Sequence, residues 1–226
     1  MMPNHDPGDA ASAKLVLTDP RRRLESYERI VAAATTLAAL GTVDCQIRSV
    51  AATAGIAPST LYRYFTSKDD LMLACLHRWL RDFSAISAEL DSSESDCCQR
   101  VLETTRTLTA SLCSSPRFTD AVIRPYLYAR AEASALADTV HQQLIQIFYT
   151  ALDDGHAAYL HRDVAEILAD IWVTNVVAIS QQRSGLDDLL QRLSLVVSSW
   201  QRKHSSAEAT ASPQKAIGGH DEENVA

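Results

Sequence analysis

The sequence predicts an all-α fold of about nine helices, in which a small N-terminal three-helix head with a helix-turn-helix precedes a larger C-terminal helical body. Two observations indicate this class. Apolar residues recur at spacings of three and four along most of the 226 residues, and no segment shows the alternation of a strand. Gly and Pro separate these periodic segments, as expected where helices end and begin.

Composition divides the chain into four parts. Residues 1–20 are polar and aperiodic, which predicts a flexible arm, and residues 204–226 are predicted to form a disordered tail. Between them lie the helix-turn-helix domain, residues 21–66, and the body, residues 67–203. A chain of this length accommodates both a small head and a body with a core of its own.

The first helix is predicted over residues 21–40, and Gly41 provides the left-handed residue that commonly follows a helix end. Its inward-facing residues are Ile30, Ala34, Leu37 and Ala38. This helix braces the segment that follows and is not expected to contact a partner itself.

Two short helices joined by a tight turn are predicted after Gln46. The first of them has an apolar face made by Ile47, Val50, Ala51 and Ala54. Gly55 ends it, since only Gly adopts a left-handed backbone cheaply. Pro58 suits the first turn of the second helix, where its missing N–H costs nothing. Leu61 and Phe65 lie four residues apart and are expected to pack inward.

The second short helix leaves a dense set of polar donors outside the head. Hydroxyl and guanidinium groups hydrogen-bond to base edges and phosphates. Ser67 predicts an N-cap for the next helix, whose N-terminus favours a phosphate beside Lys68. We expect Tyr64 and Lys68 to bind phosphates and Thr60 to contact bases. The predicted DNA-binding residues are Arg48, Pro58, Ser59, Thr60, Tyr62, Arg63, Tyr64 and Lys68.

The distribution of charge agrees with a nucleic-acid partner for the head, although the whole chain carries −7. Residues 14–81 contain 10 Lys/Arg and 6 Asp/Glu, a balance of +4, whereas residues 82–226 contain 11 and 20, a balance of −9. Lys14 and the basic run at residues 21–23 either reach into an adjacent groove or form a solvated helix start. Composition does not separate these two roles.

The segment AATAGIAPSTLYRYFTSKDDL resembles the DNA-binding domain of TetR-family transcriptional repressors, over roughly residues 23–76. The run LYRYF-x-SK is its most specific part. Within the family, QIRSVA and STLYRYF are most similar to regulators of lipid and sterol catabolism. The chain departs from the family pattern at Gln46, where Thr is more usual and caps the helix. Asp44 is the alternative cap.

The body is predicted to be entirely helical. Its helices are expected over residues 67–90, 101–112, 118–133, 135–152, 163–182 and 186–200, with a loop at residues 91–96. Pro125 predicts a kink or a split in the third of these helices. The resemblance implies that this body, residues 67–203, binds a ligand and forms the dimer.

The resemblance also implies a small hydrophobic effector held between the helices of the body. A fatty-acyl, steroid or aromatic compound fits its apolar composition. The alternatives for each candidate are a core aromatic, a surface Arg or an amide at the dimer interface. The candidate lining residues are Phe118, Arg124, Tyr126, Tyr128, Phe148, Tyr149, Trp172, Thr174 and Asn175.

The last two helices of the body carry wide apolar stripes, which predict a four-helix bundle with a second copy of the chain. A homodimer also matches a palindromic operator. The alternative is that both helices pack only on their own body. The candidate interface residues are Ile167, Ile171, Val176, Leu186, Leu190, Leu193, Val197 and Trp200.

Several other classes are not indicated. The sequence lacks G-x-S-x-G, P-loop, H-E-x-x-H and strand-linked GxGxxG motifs, so we predict no enzyme and no cofactor. His156 and His161 are five residues apart on different helix faces, and no metal site is expected. The five cysteines lack C-x-x-C spacing and are expected to be idle thiols, with Cys97 and Cys98 the first redox candidates.

No apolar leader or spanning segment is present in the sequence, so a cytoplasmic protein without a membrane partner is expected. The favoured function is a ligand-responsive repressor that binds a palindromic operator as a dimer and is released by its effector. The alternative is a helical interaction or ligand-binding module that has lost tight operator binding. Activation in place of repression is also open.

Overall fold

The computed structural model describes residues 20–41, 46–89, 96–129, 134–153 and 158–211, which form nine helices and no strand. The prediction of an all-α fold is therefore confirmed. In chain order the helices are α1 Pro20–Leu40, α2 Ile47–Ala54, α3 Pro58–Leu61, α4 Lys68–Glu89, α5 Cys97–Cys113, α6 Pro116–Leu127, α7 Ser134–Leu152, α8 Ala158–Ser180 and α9 Leu186–Ala211. Among the described helices, none combines the length and apolarity needed to cross a bilayer.

Helices α1 to α3 pack around a small apolar core. The predicted inward residues Ile30 and Ala34 of α1 are buried, as are Val50 of α2 and Leu61 of α3. Gly55 ends α2 with φ of 67° and ψ of 38°, a left-handed conformation. The chain can therefore reverse direction between α2 and α3 without steric cost.

Helix α4 joins this head to the body. Six successive residues, 71–76, are buried, so the helix is surrounded at that level instead of lying on a surface. It packs on α1 on the head side and on α6 and α7 on the body side. Further along, Trp79 and Phe83 stack with ring centroids 5.9 Å apart. Leu71, Cys75 and Phe83 of this helix belong to the core.

The body is built around α5, α7 and α8. Phe148 of α7 and Trp172 of α8 are among its largest fully buried side chains. The Trp172 indole Nε1 donates to the Thr109 hydroxyl of α5 at 3.0 Å, so the polar atom of this ring is satisfied in the interior. Helix α9 covers α5 and α8.

Several helix limits differ from those predicted. Helix α3 is a single turn, and α6 runs through Pro125 without being split. Pro125 lies in the last turn of α6, where its missing N–H removes only one hydrogen bond near a helix end. Helix α8 begins at Ala158, earlier than its apolar stripe suggested. Helix α9 continues to Ala211, into the predicted tail, and residues 1–19 and 212–226 lie outside the described residues.

We expect Leu61→Ala to lower the free energy of unfolding by about 2–5 kcal/mol, because it leaves a cavity in the core of the head. Leu24→Ala is the matched control, since Leu24 is exposed on α1 and the same atoms are removed. Urea unfolding followed by circular dichroism measures both variants. Equal losses for the two would mean that Leu61 is not part of a packed core.

Candidate DNA-binding interface

The surface of the head is organised by the short helix α3. Ala57 precedes it in an extended conformation, and Pro58 occupies its first turn. The chain then stays in tight turns, in which the Arg63 amide donates to the Thr60 carbonyl at 3.1 Å and the Phe65 amide to the Leu61 carbonyl at 3.1 Å. Leu61 and Phe65 both point inward, while Tyr62 and Arg63 between them are exposed.

Most of the predicted DNA-binding residues lie on this outer surface. Tyr62 is 58% exposed, and Thr60 is half-buried. The remaining exposed members are Arg48, Pro58, Ser59, Arg63 and Lys68. These side chains carry hydroxyl, guanidinium and ammonium donors, and all except Arg48 belong to α3, the turn after it or the start of α4.

Tyr64 differs from its neighbours. Its ring packs against the core, and its hydroxyl is buried with no hydrogen-bond partner among the described residues. The phosphate contact predicted for Tyr64 would require the side chain to rotate outward from this position. Tyr64 lies directly before the buried Phe65, at the end of the turn that follows α3, and there its side chain packs against the head.

Lys68 stands at the N-terminus of α4, where the backbone amides are well organised. The Asp70 amide donates to the Ser67 hydroxyl at 3.0 Å, as predicted for an N-cap. The Asp70 carboxylate accepts from the Thr66 amide at 3.1 Å and from the Thr66 hydroxyl. This reciprocal arrangement holds the first turn of α4 and places the exposed Lys68 beside a helix N-terminus.

The first motif helix, α2, is not capped by a side chain. Gln46 occupies the N-cap position and its side chain makes no capping hydrogen bond. Asp44, the alternative cap, lies outside the described residues. The Val50 amide still bonds to the Gln46 carbonyl at 3.1 Å, so the helix begins in regular form.

Helices α1 and α4 support the segment that follows α3. The rings of Tyr27 on α1 and Phe65 stack with centroids 5.3 Å apart. Arg78 of α4 donates to the main-chain carbonyl of Glu28 at 3.2 Å and lies 3.4 Å from its carboxylate. The pKa of Tyr27 is raised by burial and, to a smaller degree, by Glu28. These contacts hold the head as one unit.

The candidate effector residues fall into different environments. Phe118, Phe148 and Trp172 are buried in the body, and Tyr149 is partly buried against it. Tyr128 is 73% exposed. Arg124 and Thr174 are exposed as well. Only the first group shares the interior, so the nine candidates do not form a single lining.

Asn175 was predicted to contact the effector, but its amide is used by α8 and α9. Its Nδ2 donates to the Ile171 carbonyl at 2.7 Å, and its Oδ1 accepts from Arg192 of α9 at 2.9 Å. Asn175 thus links the last two helices. The sequence allows this amide either a ligand contact or a place at an interface, because a sequence pattern contains no information on which helix faces it.

Tyr126 takes part in a polar chain across three helices. Its hydroxyl lies 3.0 Å from Nδ1 of His141 on α7, and Nε2 of His141 lies 3.9 Å from the Asp170 carboxylate on α8. Burial, followed by Asp170 and Asp138, raises the pKa of Tyr126 to about 12. The phenol therefore remains neutral and acts as a hydrogen-bonding group between α6 and α7.

The candidate dimer residues are also divided. Val176, Leu190, Leu193 and Val197 are buried within their own chain. Leu186, Ile171 and Trp200 are partly buried. Ile167 remains 49% exposed, and Leu195, which the sequence analysis missed, is 61% exposed. Leu195 lies off the apolar stripe of α9. A large apolar residue at an otherwise polar helix position was the sequence signal that could have identified it as an interface candidate.

Of the two histidines considered as metal ligands, His156 lies outside the described residues. His161 lies on α8, buried between Tyr149 and Trp200 with ring centroids at 6.3 and 5.1 Å. Within the described ranges no group of three or more possible ligands comes together. Burial raises the pKa of the Cys98 and Cys113 thiols, which disfavours the reactive thiolate.

Comparison with known proteins agrees with this geometry. The profile described as bacterial regulatory proteins, tetR family, matches residues 30–75, and the profile described as tetracyclin repressor-like, C-terminal domain, matches residues 95–200. An exposed helix-turn-helix on a helical body is the construction of a DNA-binding transcriptional regulator, and the chain belongs to the TetR family. That family consists of regulators, in agreement with the prediction that the chain is not an enzyme.

Among particular proteins, the chain is similar to the HTH-type transcriptional repressor KstR. The KstR of Mycobacterium tuberculosis is 32% identical over 177 residues, covering 76% of this chain and 79% of the relative. The KstR of Mycolicibacterium smegmatis is 30% identical, with 76% and 85% covered. The KstR of Rhodococcus jostii is 31% identical over 175 residues, with 76% and 81% covered.

Solved structures show the same fold. A TetR transcriptional regulator from Rhodococcus sp. RHA1 superposes with a TM-score of 0.68 at 22% identity, covering 77% of this chain and 94% of that one. The multidrug binding protein EbrR, complexed with imidazole, gives a TM-score of 0.54 at 20% identity, with 79% and 90% covered. At these identities the likeness supports the fold alone.

We expect Tyr64→Phe to raise the free energy of unfolding by about 1 kcal/mol, because it removes a buried hydroxyl that lacks a partner. Tyr126→Phe is the matched control, since it deletes the same atom from a hydroxyl that is hydrogen-bonded to His141. That variant should lose about 1 kcal/mol. Urea unfolding distinguishes them, and a loss at Tyr64 would show that its hydroxyl is satisfied in solution.

Proposed function

We propose that the protein is a ligand-responsive transcriptional repressor that binds a palindromic DNA operator as a homodimer and is released by a small hydrophobic effector. The observation that carries this proposal is the outward projection of Tyr62 and Arg63 beside Lys68, while Leu61 and Phe65 anchor the same segment in the core. Its similarity to proteins named as HTH-type transcriptional repressors favours repression over activation.

The roles of the exposed residues follow from their chemistry. Lys68 is a point charge beside a helix N-terminus and suits a phosphate oxygen, which positions the head without reading sequence. Ser59, Thr60 and Arg63 stand on α3 or its following turn, where short hydroxyls and a guanidinium reach base edges in a major groove. Tyr62 offers both a ring and a hydroxyl at this surface. Because its partner is DNA, we place the protein in the cytoplasm.

A second copy is required for an operator with two half-sites, since two heads must enter successive grooves about 34 Å apart. We assign the contact to the outer face of α8 and α9, defined by Ile167, Ile171 and Leu195. Asn175 lies one turn from Ile171, and Arg192 lies one turn from Leu195. The hydrogen bond between Asn175 and Arg192 therefore brings the apolar side chains to the same level on adjacent helices.

The character of the effector follows from the satisfied polar groups of the body. The buried hydroxyls of Thr105, Thr109 and Thr119 all donate to main-chain carbonyls of α5, and Trp172 donates to Thr109. A polar ligand would have to break these hydrogen bonds, whereas an apolar one needs only to displace side chains. The resemblance of QIRSVA and STLYRYF to regulators of lipid and sterol catabolism favours a steroid or fatty-acyl compound over a simple aromatic.

We expect Lys68→Ala to weaken binding to all duplexes and to reduce the slope of log K against log salt by about one, because one phosphate contact is lost. Thr60→Ala should instead change the preference between operators. Duplexes selected from a random library by the wild-type protein provide the specific site, and scrambled duplexes provide the reference.

Arg106→Ala is the control for charge, since Arg106 is an exposed cation on α5 of the body. It should leave both the affinity and the salt slope unchanged. If the wild-type protein selects no duplex even at low salt, the protein is a helical interaction module without operator binding, and the proposal is wrong. Equal effects of Lys68→Ala and Thr60→Ala on every duplex would contradict the separation of phosphate and base contacts.

We expect Ile167→Glu and Leu195→Glu to convert the dimer to a monomer, because each would bury an unpaired charge in the contact. Ile86→Glu is the matched control, since Ile86 is equally exposed but lies on α4. Sedimentation velocity measures the oligomeric state. A dimer that survives both changes would place the two-fold contact elsewhere on the body.

A further inference from the structure

Arg117 connects the body to the end of the first helix of the head. It lies in the first turn of α6, and its Nη1 donates to the Leu40 carbonyl at 2.7 Å. Leu40 is the last residue of α1, where carbonyl groups have no partner within their own helix. A guanidinium at this position satisfies one of these groups and faces the negative end of the helix dipole.

The Arg117 side chain lies directly against the backbone of Gly41. A Cβ atom placed on Gly41 would stand 2.0 Å from Cδ and 2.7 Å from Nε of Arg117. Gly41 also has φ of 65°, and its amide donates to the Ala38 carbonyl at 3.2 Å. Glycine therefore suits this position for two reasons, the left-handed backbone and the space that the Arg117 side chain occupies.

Gly55 is a reference position at which only the backbone requirement applies. It has φ of 67°, close to that of Gly41, but a Cβ placed on it meets nothing within 4 Å. Alanine costs the same backbone strain at both positions, and only at Gly41 does it also displace a side chain from another helix. The chain thus contains its own internal reference for the contact.

The contact joins two parts with different anchors. Helix α6 is held in the body by Phe118, Val122 and Ile123, all buried. The end of α1 lies only a few residues before α2, which starts the helix-turn-helix at Ile47. Helix α1 packs along α2, so a displacement of α6 that moves the end of α1 through Arg117 also reaches the helix-turn-helix.

We propose that Arg117 is a positioning residue for DNA binding, which clasps the C-terminus of α1 over Gly41 and so couples the placement of α6 to that of the helix-turn-helix. This inference rests on the proposed function for its effect on DNA, but the clasp itself is independent of it. Arg117 is exposed, and contacts of exposed charged groups contribute little to the free energy of unfolding. Its effect is therefore on the position of the end of α1 more than on the stability of the chain.

The first test is hydrogen exchange of the wild-type protein, Arg117→Gln, Arg117→Lys and the control Arg100→Gln. Arg100 makes the same kind of contact within the body, donating to the Ala151 and Asp153 carbonyls at the end of α7. Arg117→Gln should speed exchange of the Gly41 amide and of α2 roughly tenfold. Arg117→Lys should restore part of the protection, and Arg100→Gln should leave these amides unchanged.

The second test is a double-mutant cycle on the unfolding midpoint. Gly41→Ala should lower the midpoint more than Gly55→Ala. This difference should vanish in an Arg117→Ala background, where no arginine side chain fills the space beside residue 41. Equal midpoints for the two glycine variants in the wild-type background would overturn the clasp. So would a difference that persists after Arg117 is removed.

The third test is affinity for duplexes selected by the wild-type protein. Arg117→Gln should weaken specific binding roughly tenfold, with Arg117→Lys intermediate and Arg100→Gln unchanged. Specific binding that is unaltered in Arg117→Gln would overturn the positioning role. If the wild-type protein selects no duplex, the proposed function fails, while hydrogen exchange and the double-mutant cycle still decide whether the clasp exists.

Discussion

The burial of Leu61 and Phe65 is the constraint on which the surface of the head depends. Both side chains enter the core formed with α1 and α2, and the chain between them is fixed by main-chain hydrogen bonds. Tyr62 and Arg63 must then face solvent, since the two anchors leave them no other direction. The stacking of Tyr27 on Phe65 extends this constraint to α1. The packing of these two anchors, and not the polar groups themselves, determines which side chains of this segment are exposed.

Helix α4 connects the head to the body through continuous packing. Residues 71–76 are buried between head and body, so the helix cannot shift at one end without disturbing packing at the other. Its N-terminus carries the exposed Lys68 directly after the helix-turn-helix, and its remaining length packs on α6 and α7. A ligand that changes the spacing of the body helices therefore has a direct physical path to the head, whatever the ligand is.

The positions of the polar side chains in the body were the least predictable part of the structure. Trp172 and Asn175 lie three residues apart and are both candidate effector contacts in the sequence, yet Trp172 donates to Thr109 inside the core and Asn175 bridges α8 to α9. Arg124 and Thr174 lie on the surface. Each outcome depends on which helix stands opposite, and helical periodicity specifies a face without naming its neighbour.

The sequence alone determined the helix-turn-helix, because its signals are local: an apolar face at spacings of three and four, a left-handed Gly55, and Pro58 at a helix start. It also determined most helix positions in the body. Only the tertiary structure decided that the Tyr64 hydroxyl turns inward, that Val176 and Leu193 belong to their own core, and that Arg117 reaches the end of α1. Local backbone preferences act within a few residues, whereas these contacts join residues brought together only when all nine described helices pack.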